Sequence, residues 1–214
     1  MTEAAILVHE QFDDLAQQRR ASTFGMWVFL GTELMFFGGV FLAYTVYRLI
    51  HHDAFVEAAR HLDTTIGSIN TFVLLTSSFF CSVAVSMFES RKRAPTLLLL
   101  GLTLLFGIVF LVAKGFEYQE DWRHGLVPGP AFAYSGPERE QAELFFILYF
   151  IATGLHAVHL LVGIVLIAVL MVLVMLSWFR PRREVAVGTF GLYWHFVDFI
   201  WIFIFPLFYL LGGT

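Results

Sequence analysis

The 214-residue chain has a single cysteine, Cys81, set inside an apolar run. One cysteine builds no intrachain disulfide, no CxxCH haem attachment, no iron–sulfur cluster and no four-cysteine zinc site. Charge is also scarce. Only 14% of residues are Asp, Glu, Lys or Arg, where a soluble domain carries about a quarter. The net charge of −4 is small, and no Lys/Arg-dense stretch with interleaved aromatics points to nucleic acid. A soluble globular domain is excluded on these grounds.

Apolar residues fill the remaining chain. They make 58% of it, with 25 phenylalanines and a mean hydropathy of +0.76. A bilayer-spanning helix takes ~20 residues, and five apolar segments of that kind follow one another at 24–47, 66–88, 95–115, 144–178 and 187–211. The expected fold is an all-α polytopic membrane bundle with five transmembrane helices. Residues 1–22 form a polar N-terminal segment, with Ile6, Leu7, Phe12 and Leu15 spaced for a helix on the membrane surface, and residues 23–214 form the membrane domain. No apolar core follows a basic start, so the segment is not a cleavable signal peptide. Pro95 suits a first helical turn, and Pro206 should kink the last span near its end.

The loops predict the orientation. Arg19, Arg20, Arg91, Lys92, Arg93, Arg180, Arg182 and Arg183 lie on one side, while Arg48, Arg60, Lys114, Arg123 and Arg139 lie on the other. The first group is clustered beside span ends. The positive-inside rule then puts the N-terminus in the cytoplasm and the C-terminus outside. The Pro/Gly-rich segment 125–137 becomes an extracytoplasmic loop.

Polar residues inside the spans are costly in lipid and are the candidate functional residues. Glu33 lies mid-span in GTELMFF. It reads as a neutral carboxyl hydrogen-bonded to a neighbouring helix, or as a proton-relay group. In the fourth span Tyr149, Ala152, His156, His159 and Gly163 share one helical face. The small residues let another helix approach. His156 and His159 at i, i+3 read as interfacial hydrogen-bonding groups, or as two ligands of a metal site whose other ligands are missing. His195 and Asp198 in WHFVD can meet on one face as a buried pair. Ser78, Ser82 and Ser86 repeat every four residues, as do Gly39 and Ala43, a helix-packing pattern. Cys81 reads as a small buried residue. Glu117 and Tyr118, in KGFEYQE, read as residues of the outer membrane interface.

Taken in order, these motifs resemble subunit III of the haem–copper terminal oxidases. LYWHFVDFIWIFIFPLFYLLGG (192–213) is similar to that family's last helix, and TGLHAVHLLVG (153–163) to its penultimate one. GTELMFFGGVFLAY resembles the helix with the family's intramembrane carboxylate, which would be Glu33. INTFVLLTSS and KGFEYQE match the next helix and the exit of the one after. The chain has five helices where mitochondrial-type members have seven, and it lacks the two that form one wall of a lipid cleft. The resemblance implies an accessory subunit of a bacterial inner-membrane cytochrome c oxidase, itself non-catalytic. It would bind subunit I, and with it subunit II, hold phospholipid and support proton uptake. Haems and copper would belong to the partner subunits. Three intramembrane histidines also fall short of the six or more that two haems and a copper require. A quinol oxidase or nitric oxide reductase subunit is the alternative within the class. A small membrane haem protein and a proton-coupled transporter are the alternatives outside it.

Overall fold

A computed structural model describes residues 14–136, 138–176 and 181–211. Helix α1 (Leu15–Ile50) is followed by a short α2 (His52–Ala59), α3 (Thr64–Glu89), α4 (Arg93–Arg123), α5 (Arg139–Leu176) and α6 (Pro181–Phe205). Five of these, all but α2, are long and apolar enough to cross a membrane. No strand occurs among the described residues. Helix α1 runs unbroken through residue 22, so Leu15 belongs to the first spanning helix. Ile6, Leu7 and Phe12 of the expected surface helix lie outside the described residues, as does the expected end of the fourth span at 178.

Helix starts follow local chemistry. Asp14 caps α1 by accepting from the Gln17 amide at 2.6 Å, and Asp63 caps α3 by accepting from Thr65 and Ile66 at 2.8 and 3.1 Å. Each satisfies amides that have no partner within the helix. Pro206, expected to kink the last span, marks a change of helix type. It has no N–H and its ring crowds the carbonyl of Ile202, so the α-helix stops at Phe205. The chain widens into a π-helical turn, Pro206–Leu210, closed by the Leu211 amide on the Pro206 carbonyl.

Cross-contacts fix the direction of each helix. Arg93 of α4 donates to the Met175 carbonyl of α5, and Lys114 of α4 meets Tyr149 of α5 and Tyr209 beyond α6. So α4 and α6 run one way and α5 the other. Tyr44 donates to the Leu207 carbonyl, which aligns α1 with α6, while Thr71 accepts from the Trp201 indole and sets α3 against it. One end of the bundle carries the 90–92 turn (the turn end), and the other carries α2 and the 124–138 loop (the loop end). Helix α6 lies between α1, α3 and α5. Its Trp194 and Trp201, both buried, fill the centre.

Residues 124–136 are folded onto the bundle. Phe132 and Tyr134 are buried and stack at 6.1 Å, Phe132 meets Phe146 at 5.9 Å, and Arg139 donates to the Phe132 carbonyl. The Ala133 amide closes the loop on the Gly125 carbonyl at 2.8 Å. Gly125 has φ +67°, and a Cβ there would stand 2.8 Å from that of Ala133. Only glycine fits this turn.

Candidate functional site

Two polar constellations sit inside the spanning part of the bundle. The first joins α1 to α5. Glu33 Oε2 lies 3.1 Å from His159 Nε2, with both side chains about a fifth exposed, at 21% and 18%. His159 Nδ1 lies 2.8 Å from the Leu155 carbonyl oxygen, which can only accept. Nδ1 therefore carries a proton. A neutral imidazole then offers Nε2 as an acceptor, so Glu33 must bring the proton as a carboxylic acid; otherwise the pair is carboxylate and imidazolium. Either arrangement holds two protons and no net charge. Tyr193 of α6 donates to the His159 carbonyl at 2.9 Å, and Phe37 packs on the imidazole edge at 5.4 Å.

This pair closes the deep end of a groove of about 800 Å³ between α1, α5 and α6. Met26, Phe29, Leu166 and Val169 line its walls, and Gln18 and Ser22 stand at the turn end. From residue 18 to residue 33 of α1 the groove runs roughly 22 Å at the helical rise. That covers the apolar depth of one leaflet of a ~30 Å hydrocarbon core.

The second constellation encloses Glu117, which the sequence reads as a residue of the outer membrane interface, among side chains of the bundle. Helix α4 does not stop near 115 but continues to Arg123, and its last turns lie inside the bundle. Lys114, Glu117 and Asp121 are only 4%, 6% and 5% exposed. Lys114 Nζ donates to Tyr209 Oη at 2.7 Å and to Tyr149 Oη at 3.1 Å, and stands 3.1 Å from Glu117 Oε2. Both phenols donate onward to Glu117 Oε1, Tyr149 at 2.7 Å. The rings of Tyr118, Tyr149, Trp201 and Tyr209 surround the ammonium at 5.0–5.4 Å, within cation–π range. A lysine with all sides so engaged can be held away from water. Asp121, one turn beyond Glu117, keeps its Oδ2 buried without a hydrogen-bond partner.

The remaining candidates separate. His156 is buried between Phe110 at 5.6 Å and Trp201 at 5.1 Å, and neither ring nitrogen has a hydrogen-bond partner. It does not join His159. His195 and Asp198 do not form the expected pair. Serines of α3 take the imidazole instead, Ser78 at 2.8 Å from Nδ1 and Ser82 at 3.0 Å from Nε2, and both Asp198 oxygens are buried without a hydrogen-bond partner. Spacing of i, i+3 permits a pair, but the α3 serines reach His195 from across the helix interface. Among the described residues, no three His, Cys, Asp or Glu side chains converge as a metal site. Sequence reasoning missed Lys114, Tyr149 and Tyr209 as partners of Glu117. The signal was a lysine at the end of an apolar run with a glutamate three residues on.

Outside the spans, Tyr134 packs on His61 at 5.5 Å in a cavity of about 460 Å³ at the loop end. Burial, and then the nearby Glu57 carboxylate, push its phenol above its ordinary value.

Comparison with known proteins bears on the whole chain. The family described as cytochrome c oxidase subunit III matches residues 10–213. Cytochrome c oxidase subunit 3 of Corynebacterium diphtheriae is 32% identical over 86% of this chain and 85% of its own length. The probable quinol oxidase subunit 3 of Staphylococcus saprophyticus is 29% identical over 94% of both chains. A protein of Aeropyrum pernix named haem-copper oxidase subunit I+III is 31% identical over 86% of this chain, which covers 22% of that longer one.

Proposed function

Because the chain belongs to the cytochrome c oxidase subunit III family and is thus subunit III of a haem–copper oxidase, we propose that it is the cofactor-free accessory subunit of a bacterial cytochrome c oxidase. In this reading it sits in the inner membrane with the turn end, and its Arg19, Arg20 and Arg91–Arg93 clusters, in the cytoplasm. The loop end faces outward. The partners are subunits I and II, which would carry the haems and copper, reduce oxygen to water and translocate protons. The match over residues 10–213 carries the reading.

The groove supports a lipid-holding role. Its apolar walls suit an acyl chain, and the Glu33–His159 pair ends it with no net charge. Holding lipid and supporting proton uptake would both depend on that pair. The quinol-oxidase relative, covering 94% of both chains, favours a second reading with quinol as donor. None of the residues described here would contact the donor.

The test is to prepare the oxidase with and without this chain. The haem spectrum and initial turnover should stay unchanged without it, while activity should decay faster during sustained turnover. A haem band that travels with this chain would overturn the accessory reading. Oxidation of reduced cytochrome c against quinol by the same preparation decides the donor. Within the intact complex, Glu33→Gln should retain bound phospholipid, since an amide can still donate to His159 Nε2. Glu33→Ala should lose it, and equal lipid content in both variants would remove Glu33 from that role.

A further inference from the structure

Aromatic side chains lead from the surface of the loop end into the buried lysine cluster. Trp122, at the end of α4, is 72% exposed. Tyr118 lies one turn back and is half-buried, at the spacing that makes two side chains neighbours on a helix surface. Its ring meets that of Tyr149 on α5 at 6.3 Å, and Tyr149 meets Tyr209 at 6.1 Å. Tyr209 in turn meets Trp201 at 6.5 Å. Phenols and indoles are among the side chains that give up a single electron most easily, and rings this close pass one readily.

A phenol that loses an electron also releases its proton. In a site closed to water, the oxidation ends where a base takes that proton. The Thr153 hydroxyl donates to the Tyr149 carbonyl, so the Tyr118 phenol is the donor in its 2.6 Å contact with Thr153 Oγ1. A hydroxyl oxygen is too weak a base to receive it. The Trp201 indole likewise donates to a hydroxyl, that of Thr71. Tyr149 and Tyr209 differ, because both donate to Glu117 Oε1, a carboxylate paired with Lys114. Lys114 Nζ donates to the same two phenol oxygens and fixes them in place. Moving a phenol proton to Glu117 leaves the ammonium facing a neutral carboxyl. Asp121 lies one turn beyond on the same face of α4, with Oδ2 buried and without a hydrogen-bond partner. Its carboxylate then supplies the charge that balances Lys114.

We propose that Tyr149 and Tyr209, with Glu117 as proton acceptor, form a one-electron redox site that Trp122 and Tyr118 connect to oxidising radicals in the surrounding lipid. The oxidant is the alkoxyl radical of an oxidised acyl chain. It takes one electron from Trp122 and one proton from interfacial water, and becomes an alcohol and hydroxide. Trp122 recovers its electron through Tyr118 from Tyr149. The Tyr149 O–H bond breaks and its proton passes to Glu117 Oε1. A neutral tyrosyl radical and a protonated Glu117 remain, walled off from water and lipid by the rings around Lys114. Trp122 is the entry because it is exposed, and the Tyr149–Tyr209 pair is the end point because a carboxylate there takes the proton.

The test uses the whole complex in vesicles of unsaturated phosphatidylcholine that contain its hydroperoxide, with iron(II) added to cleave the hydroperoxide to alkoxyl radicals. Electron paramagnetic resonance of frozen samples should show a tyrosyl radical whose signal narrows when the protein carries ring-deuterated tyrosine. Trp122→Phe, a surface change, should lower its yield severalfold. Trp27→Phe, at an exposed indole on α1, should leave it unchanged. Glu117→Gln still accepts the phenol hydrogen bonds but cannot take the proton. It should abolish the tyrosyl signal and raise oxygen addition at Trp122, read by mass spectrometry, severalfold. Absence of a tyrosyl signal in the wild type would overturn the proposal, as would an equal yield in wild type and Trp122→Phe or an equal loss in both tryptophan variants. Equal oxidation of Trp122 in wild type and Glu117→Gln would overturn the role of Glu117. If Glu117→Gln does not assemble, the comparison of the two tryptophan variants decides.

Discussion

A methyl group on Gly163 would stand 2.9 Å from Trp194 Cζ3, and one on Gly107 would stand 3.0 Å from Cη2 of the same ring. The indole of α6 is thus wedged against bare backbone on both α4 and α5, and it is fully buried. Gly163→Ala should destabilise the subunit by roughly 1–3 kcal/mol, the usual cost of overpacking. The same change in a Trp194→Phe background should cost less, because the smaller ring vacates the contact. Thermal release of the chain from the solubilised complex measures both, and an equal cost in the two backgrounds would show that the indole is not what the methyl meets. Lys114 and Glu117 pose a different residue-scale problem. Removing either partner strands a buried group, a loss of about 3–5 kcal/mol. Lys114→Met with Glu117→Leu should cost less than the sum of the single changes, and strict additivity would mean the pair does not interact.

Helix α4 illustrates which elements can be read from a sequence. Its apolar run marks the span correctly, because hydropathy reports the stretch that must sit in hydrocarbon. Its last two turns do not read as buried, because the side chains that enclose them, Tyr149 and Tyr209, come from α5 and the π-helical turn, 35 and 95 residues away. The 124–138 loop is a similar case. Pro and Gly content predicts a loop, but the burial of Phe132 and Tyr134 follows from where α2 and α4 end and α5 begins. Tyr134 gives this loop a pH signature. Its phenol titrates above the ordinary value in the folded chain, so the folded state holds the proton more tightly than the unfolded one. Below about pH 10, the ordinary tyrosine value, both states are protonated and no difference arises. As pH rises beyond it, the unfolded chain ionises first and loop stability falls. Proteolysis of the loop should therefore accelerate in alkali, and Tyr134→Phe should shift that onset upward. An unchanged onset in the variant would assign the transition to another group.

At the scale of the whole molecule, five spanning helices and their order were legible because each is apolar over more residues than a bilayer needs. The lateral arrangement was not. Glu33 and His159 lie 126 positions apart, and neither motif contains a signal for the other. The same holds for His195, where the adjacent Asp198 offered a local partner and the serines of α3, more than 110 positions distant, took its place. Distant partners of this kind become neighbours only when the bundle closes, and the chain must enter the bilayer before it closes. Helix α4 emerges during synthesis ahead of α5 and α6, so Tyr149, Trp201 and Tyr209 do not yet exist to shield its charges. Lys114 and Glu117, one turn apart with opposite charge, neutralise each other within the helix itself. That local pairing lowers the barrier to releasing α4 sideways from the insertion machinery into lipid, and the aromatic enclosure then locks in place what the single helix had already balanced.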